Sequence, residues 1–446
     1  MMDTPICDFV ARYNAGAPLR MHMPGHKGRY ILGMEHLDIT EIEGADSLFH
    51  ANGIIHESEQ NAGKLFGCHT FYSTEGSSLC IRAMLYLCML QARSLGRKPV
   101  IAAPRNVHTA FVSAAALLDF DIQWLYPEQP SSYLSYIVTP QQIQQYLAQA
   151  SQLPTAVYLT SPDYLGAMAD IEAIAQICHQ YGVLLAVDNA HGTYLKFLPQ
   201  SLHPMDLGAD ICCDSAHKTL PVLTGGAYLH ISTEAPAHFL TQAKQAMALF
   251  ASTSPSYLIL QSLDRANPYL AEEFPQALVS FLPQLTQTRK RLESYGYIFQ
   301  GDEPMKLTID CKSYGYTGTE MAHYLQAQGI HVEFSDPDYL VLMPTPAIGA
   351  SGLAQLEKAL CFLPRRPQLE QAPPIPGRGE RVLSPRDATL SCFETIPTAK
   401  CRGRVLARAS VGCPPAVPIV ICGERIDEDA LSCFSYYGIE YCDVIV

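Results

Sequence analysis

The sequence predicts an α/β protein with a large domain built on a mainly parallel sheet, a second, smaller α/β unit and a C-terminal α+β unit. Three observations carry this. Short apolar runs alternate with stretches such as 79–93 and 171–181, whose apolar residues recur at helical spacing, the pattern of strands joined by crossover helices. The run Val183-Leu-Leu-Ala-Val187 is apolar throughout and ends in Asp188, as a central strand covered on both faces would. The chain, at 446 residues, is too long for one simple core, and the Pro- and Gly-rich stretch 364–379 sets a final unit apart as a linker does.

Composition excludes several functions. A formal net charge of −13 leaves no basic excess to neutralise nucleic-acid phosphates. No window approaches the roughly 18 apolar residues of a membrane span, and Asp3 and Asp8 stand where a signal peptide would be basic, so a cytoplasmic protein is expected. Fifteen cysteines are scattered without a C-x-x-C pair, which favours reduced thiols over a disulfide framework or a structural zinc site. The six from Cys392 to Cys442 come at fairly even intervals, for which the sequence supplies no physical account.

Taken in order, His22-Met-Pro-Gly-His-Lys-Gly-Arg29 is a turn with clustered cations, either solvated or an anion-binding loop. A helix is expected through Glu57 to Leu65. The segment 70–78 reads as a strand running into Gly76-Ser77-Ser78, which opens a helix; such a turn is either a plain N-cap or a seat for phosphate on free N–H groups. Strand 100–103 leads to His108 at a strand-to-helix turn, a capping or core residue or a ring to stack on an aromatic cofactor. Further strands are expected at 122–126, 156–160 and 183–188, with helices at 139–152 and 171–181. Asp188 then emerges at a strand's carboxyl end, where open α/β sheets place their ligands. About thirty residues on, the strand Ile211–Cys213 ends in Asp214-Ser-Ala-His-Lys218. A lone lysine there is ordinarily a solvated charge. The order of phosphate seat, histidine, strand-end aspartate and strand-end lysine is instead what pyridoxal phosphate needs on a parallel sheet: a helix start for its phosphate, a stacking face, an anion for the pyridine nitrogen and an amine for the aldehyde.

These residues, with Met23-Pro-Gly-His-Lys-Gly28, Arg105-Asn-Val-His108, Asp188-Asn-Ala-His-Gly192, Ser215-Ala-His-Lys-Thr-Leu-Pro221 and Ser252-Thr-Ser-Pro-Ser-Tyr257 followed by Ser262-Leu-Asp264, resemble the bacterial ornithine/lysine/arginine decarboxylases, fold-type I pyridoxal-phosphate enzymes, in their short form. The resemblance implies that Lys218 forms the Schiff base, that Asp188 pairs with the pyridinium and that His108 and Ala190 pack on opposite faces of the ring. It places Gly76, Ser77, Ser78, Ser215 and His217 around the phosphate, with His191 beside the cofactor, and has Thr253 and Ser254 reach a neighbouring subunit's cofactor in a homodimer whose active sites lie at the subunit interface. The segment Cys413-Pro-Pro-Ala-Val-Pro to Cys422-Gly-Glu424 resembles the family's Tyr-Pro-Pro-Gly-x-Pro-x-x-x-Pro-Gly-Glu motif, and Glu424 could receive a substrate's distal cation. Glu75, Asp163 and Asn189 stand where the family typically has Asn, Thr and Glu.

The function expected is decarboxylation of a basic amino acid, arginine or lysine before ornithine, with pyridoxal phosphate and no metal. Another pyridoxal-phosphate reaction, or a regulatory paralogue that has lost the chemistry, is the alternative. The expected organisation is an N-terminal segment 1–55, a large domain 56–265, a small domain 266–364, a linker 365–380 and a C-terminal domain 381–446.

Overall fold

The computed structural model describes residues 2–127, 132–408 and 416–446. Along the chain the elements are α1 (Pro5–Ala15), α2 (Ile54–Phe66), β1 (His69–Ser73), α3 (Gly76–Ser94), β2 (Val100–Pro104), α4 (Thr109–Leu118), β3 (Asp121–Leu125), α5 (Pro140–Gln149), β4 (Ala156–Thr160), α6 (Ile171–Gln180), β5 (Leu184–Asp188), β6 (Ile211–Asp214), α7 (Ala216–Thr219) and β7 (Ala227–Ile231). There follow α8 (Ala237–Ala248), α9 (Tyr257–Glu272), α10 (Phe274–Ser294), β8 (Ile298–Gln300), β9 (Leu307–Asp310), α11 (Gly318–Ala327), β10 (Phe334–Ser335), β11 (Tyr339–Leu342), α12 (Gly349–Phe362), α13 (Pro385–Leu390), β12 (Phe393–Pro397), α14 (Glu428–Tyr436) and β13 (Tyr441–Ile445). Among the described residues no helix is long and apolar enough to cross a membrane.

Two compact units result, residues 1–98 with 171–276 and residues 99–170 with 277–446. In the first, β5 and β6 run parallel with Asp188 opposite Cys213, while β7 pairs antiparallel with both β6 and β1. Every residue of β6 and β7 is buried, because α-helical crossovers leave neither face of such strands to water. The N-terminal arm is tied to this core by two carboxylates. Asp46 accepts the amides of Ser47, Gly53 and Ile55 at 2.8 to 3.1 Å, satisfying the start of α2, whose N-cap Gly53 has no side chain to do so. Asp264 on α9 accepts from the Cys7 amide of α1 at 2.9 Å and from Ser58 of α2 at 2.6 Å.

In the second unit, β2 pairs parallel with β3 and with β4, as the alternation of strand and helix predicts. The smaller sheet is antiparallel in the order β10-β11-β9-β8, and β12 pairs with β13. The aromatics Tyr133 and Tyr136 pack with Phe334, Phe434 and the thiols of Cys401, Cys433 and Cys442 in one apolar cluster. The evenly spaced C-terminal cysteines are thus partly explained as core residues. None of the fourteen described cysteines is in a disulfide, ten are buried and Cys392 alone is exposed.

Candidate active site

Lys218 stands in the single turn α7, directly after β6, where its amide donates to the Ser215 carbonyl at 3.0 Å. β5, the parallel neighbour of β6, ends at Asp188, whose Oδ1 accepts the Ala190 amide at 3.2 Å and faces the Cys213 thiol at 3.6 Å. Side-chain burial at both strand ends, 2% exposure for Asp188 and 1% for Ser215, sets these polar groups in an apolar wall. Such groups are kept there only when something pairs with them. Ala190 is half-buried and His191 buried.

The predicted phosphate seat forms one end of α3. The helix starts at Gly76, three residues before the expected Leu79, and its first turn carries neither a side-chain cap nor an acidic residue. Its N–H groups and positive dipole end therefore suit an anion. Ser215 Oγ donates to Ser77 Oγ at 2.8 Å, joining the seat to the lysine turn. Gly76 has φ +72° with open space where a Cβ would lie. Its amide donates to the Gly225 carbonyl at 2.7 Å, and Gly225 in turn has φ +98° with Thr74 O only 2.9 Å from the place of a Cβ. The two glycines let the strands' connecting turns touch backbone to backbone. His217 is held through Nδ1 to the Gly226 carbonyl at 3.0 Å. Glu75 is exposed and accepts the Ser252 amide at 2.7 Å, so its charge is spent on the loop that carries the exposed Thr253 and Ser254. Lys27 donates to the His22 carbonyl, not to Glu75.

Sequence reasoning missed one neighbouring feature. Asp214 is fully buried among His203, His230 and Asn189, and both histidines donate to its Oδ2 at 3.0 and 3.2 Å. Two of these partners lie outside any quoted motif. His230 sits on β7, a strand hidden behind the Gly225-Gly226 turn, and only the alternation in Ala227-Tyr-Leu-His-Ile231 could have signalled it.

His108 and Glu424 belong to the second unit. His108 caps α4, its Nδ1 accepting the Ala110 amide at 3.0 Å, which leaves Nε2 as the protonated nitrogen of the neutral ring. The Thr109 amide beside it donates to the Ala416 carbonyl at 2.8 Å. Glu424 is the residue that, from the sequence, could receive a substrate's distal cation. Its carboxylate is buried against a cation of its own chain, Arg105, with contacts of 2.5 and 2.9 Å, and also accepts the Ile421 amide at 2.9 Å. Arg105 lies over the Trp124 ring at 4.9 Å. A substrate cation would have to share a carboxylate already neutralised. Asp163 is fully buried; Oδ1 accepts the Leu165 and Ala167 amides at 3.0 and 2.9 Å, and Oδ2 accepts from Ser135 at 2.5 Å. Burial, only partly offset by these bonds, pushes its pKa up to about 6. Cys413 lies outside the described residues.

Within the first unit, the Lys218 turn, the buried Asp188 carboxylate and the start of α3 lie at strand ends, a set of groups that fits pyridoxal phosphate, and the fold is that of pyridoxal-phosphate enzymes. Comparison with known proteins narrows the class. The Orn/Lys/Arg decarboxylase major domain matches residues 4–309. Arginine decarboxylases of Bacillus subtilis and Halalkalibacterium halodurans are 30% and 31% identical, each alignment covering 96% of this chain and 92% of the relative. Among solved structures, the lysine decarboxylase of Francisella novicida matches with a TM-score of 0.80 at 17% identity, over 100% of this chain and 81% of that one. The constitutive lysine decarboxylase of E. coli matches with 0.77 at 17%, over 100% and 82%. The chain belongs to the Orn/Lys/Arg decarboxylase family. It is accordingly a pyridoxal-phosphate-dependent decarboxylase of basic amino acids.

Proposed function

We propose that the protein converts arginine to agmatine and CO2, in the cytoplasm and as a homodimer, with Lys218, Asp188 and His108 as its catalytic residues. The choice of arginine is supported by four relatives named arginine decarboxylase, which are 30–31% identical over 94–96% of this chain, whereas the likeness to lysine decarboxylases rests on fold at 17–18% identity. The observation that carries the assignment of roles is the adjacency of β5 and β6, which brings Asp188 and the Lys218 turn to neighbouring strand ends.

Pyridoxal phosphate, when bound, supplies an electron sink for the pair released as the Cα–carboxylate bond breaks. Lys218 would hold the cofactor through its side-chain amine, and the same amine would be the group placed to give a proton to Cα. Asp188 would pair with the ring nitrogen and favour that nitrogen's protonated form. Ser77, Ser78 and Ser215, with His217 and the N–H groups of α3 that follow Gly76, would hold the phosphate. By the family resemblance, Ala190 and His108 would pack on the two faces of the ring, with His191 beside it. The exposure of Thr253 and Ser254 on a loop anchored by Glu75 supports their service to a second subunit. The five-part organisation 1–55, 56–265, 266–364, 365–380 and 381–446 remains the working division of function along the chain.

The test is product chromatography after incubating cofactor-loaded protein with arginine, lysine and ornithine separately. Agmatine should dominate, and Lys218→Ala should lose both turnover and the cofactor's visible absorbance band. Cadaverine or putrescine as the principal product would refute the arginine assignment.

A further inference from the structure

Asp214 closes β6 and directly precedes the Ser215–Lys218 turn, yet the reaction described above gives it no part. Three nitrogen donors converge on its carboxylate, with the Cys212 thiol 3.8 Å from Oδ1. Asn189 Nδ2 donates to Oδ1 at 2.7 Å, while His203 Nε2 and His230 Nε2 donate to Oδ2 at 3.0 and 3.2 Å. The outer imidazole nitrogens are engaged too: His203 Nδ1 accepts the Met205 amide at 3.3 Å and His230 Nδ1 lies 2.9 Å from Thr70 Oγ1. Phe66 lies against His230 with ring centroids 4.4 Å apart. Asp214, His203 and His230 are all 0% exposed, and an anion at such depth is tolerable only with full pairing. Burial opposes ionisation of Asp214, but the two imidazoles outweigh it and hold its carboxyl far below the usual range. The elements joined are those that carry the site. Asn189 follows Asp188, and its amide donates to the Cys213 carbonyl at 2.9 Å; Asp214 adjoins Ser215; His230 lies on the strand entered through the Gly225-Gly226 turn that accepts from Gly76 and His217.

We propose that Asp214, clamped by Asn189, His203 and His230, is the positioning residue of the active site, fixing the strand-end register that aims Asp188 at the cofactor's ring nitrogen and Lys218 at its aldehyde. The inference rests on the pyridoxal-phosphate reading above. Asp214, His203 and His230 could be taken for metal ligands, since their ligand atoms lie within 4.8 Å of one another. Separations of 3.0 and 3.2 Å with every outer nitrogen also bonded are those of a completed hydrogen-bond set, so protons, not a metal ion, hold the cluster.

The test uses full-length wild type, Asp214→Asn, Asn189→Ala and His230→Gln. In Asp214→Asn an NH2 replaces one acceptor oxygen and faces N–H donors, leaving buried donors unmet. Cofactor affinity should fall about tenfold, ~1.4 kcal/mol, the pH midpoint of the visible band should move, and kcat should fall with KM little changed. His230→Gln keeps a donor toward Oδ2 and should recover most of each quantity. If Asp214→Asn does not fold, Asn189→Ala, which leaves both imidazoles on Asp214, should still move the midpoint in the same direction. Wild-type affinity and midpoint in Asp214→Asn and Asn189→Ala, even with lowered resistance to urea, would overturn the inference and leave the decarboxylase reading standing. A wild-type protein that shows no visible band with added cofactor would sink both. Stoichiometric zinc or manganese in the purified protein would overturn the hydrogen-bond assignment.

Discussion

Replacing Asp163 by asparagine should stabilise the protein at neutral pH and leave it unchanged near pH 4. The folded carboxyl has its pKa pushed up to about 6 by burial, against an ordinary value of 3.8. A raised acid pKa means that the folded state binds the proton more tightly, so this stabilisation is complete below the unfolded pKa and is lost as pH rises through about 6. The difference of roughly two pKa units corresponds to ~3 kcal/mol, an upper bound. Asparagine keeps an oxygen for the Leu165 and Ala167 amides and offers an NH2 to Ser135, whose hydroxyl can reverse its role. Urea unfolding followed by circular dichroism at pH 4.5, 6 and 7.5 should therefore show the two proteins diverging with pH, the variant ahead by about 1–3 kcal/mol at pH 7.5. Comparing variant with wild type isolates Asp163 from Asp336, another buried carboxyl raised to about 6. Parallel stability curves for the two proteins would refute the argument.

Glu424→Gln leaves the buried Arg105 guanidinium without its anion and should cost ~3–5 kcal/mol in the same unfolding assay; if the residue also meets substrate, the variant's KM for arginine will rise. Ala416 holds φ +62°, a left-handed conformation that penalises a Cβ, so Ala416→Gly should gain about 1 kcal/mol, read as a higher urea midpoint. Gly225→Ala places a Cβ 2.9 Å from Thr74 O at φ +98° and should lose ~1–3 kcal/mol, with weaker cofactor binding by absorbance titration because the Gly76 bond is disturbed.

The strand-end residues were legible in the sequence because a strand buried on both faces announces itself as an unbroken apolar run, and the polar residue that ends it must lie at the sheet's edge. Asp188 follows from that reasoning, and Lys218, four residues past the end of β6, follows only when it is taken with Asp188, His108 and the Gly76 turn. The helix start at Gly76-Ser-Ser was equally visible, although its glycine, not Leu79, begins the helix. What stayed hidden depends on contacts distant in sequence. Arg105 and Glu424 meet across 319 residues, and no local pattern distinguishes a carboxylate that already has a cation from one that awaits a substrate. His230 reaches Asp214 because β7 runs antiparallel to β6, a pairing that the Gly-rich approach to β7 concealed. Glu75 departs from the family pattern, and only the structure shows it turned to the Ser252 amide.

The distribution of thiols gives this protein an internal clock for its own opening. Burial pushes Cys88, Cys178 and Cys442 up to about 12, so these sulfurs are protonated as well as shielded, and an alkylating reagent meets neither a thiolate nor a path to one. Among the described cysteines Cys392 alone stands in solvent. Timed alkylation counted by mass spectrometry will mark Cys392 at once and the buried thiols only as each region opens, separating local breathing from global unfolding without a single engineered probe.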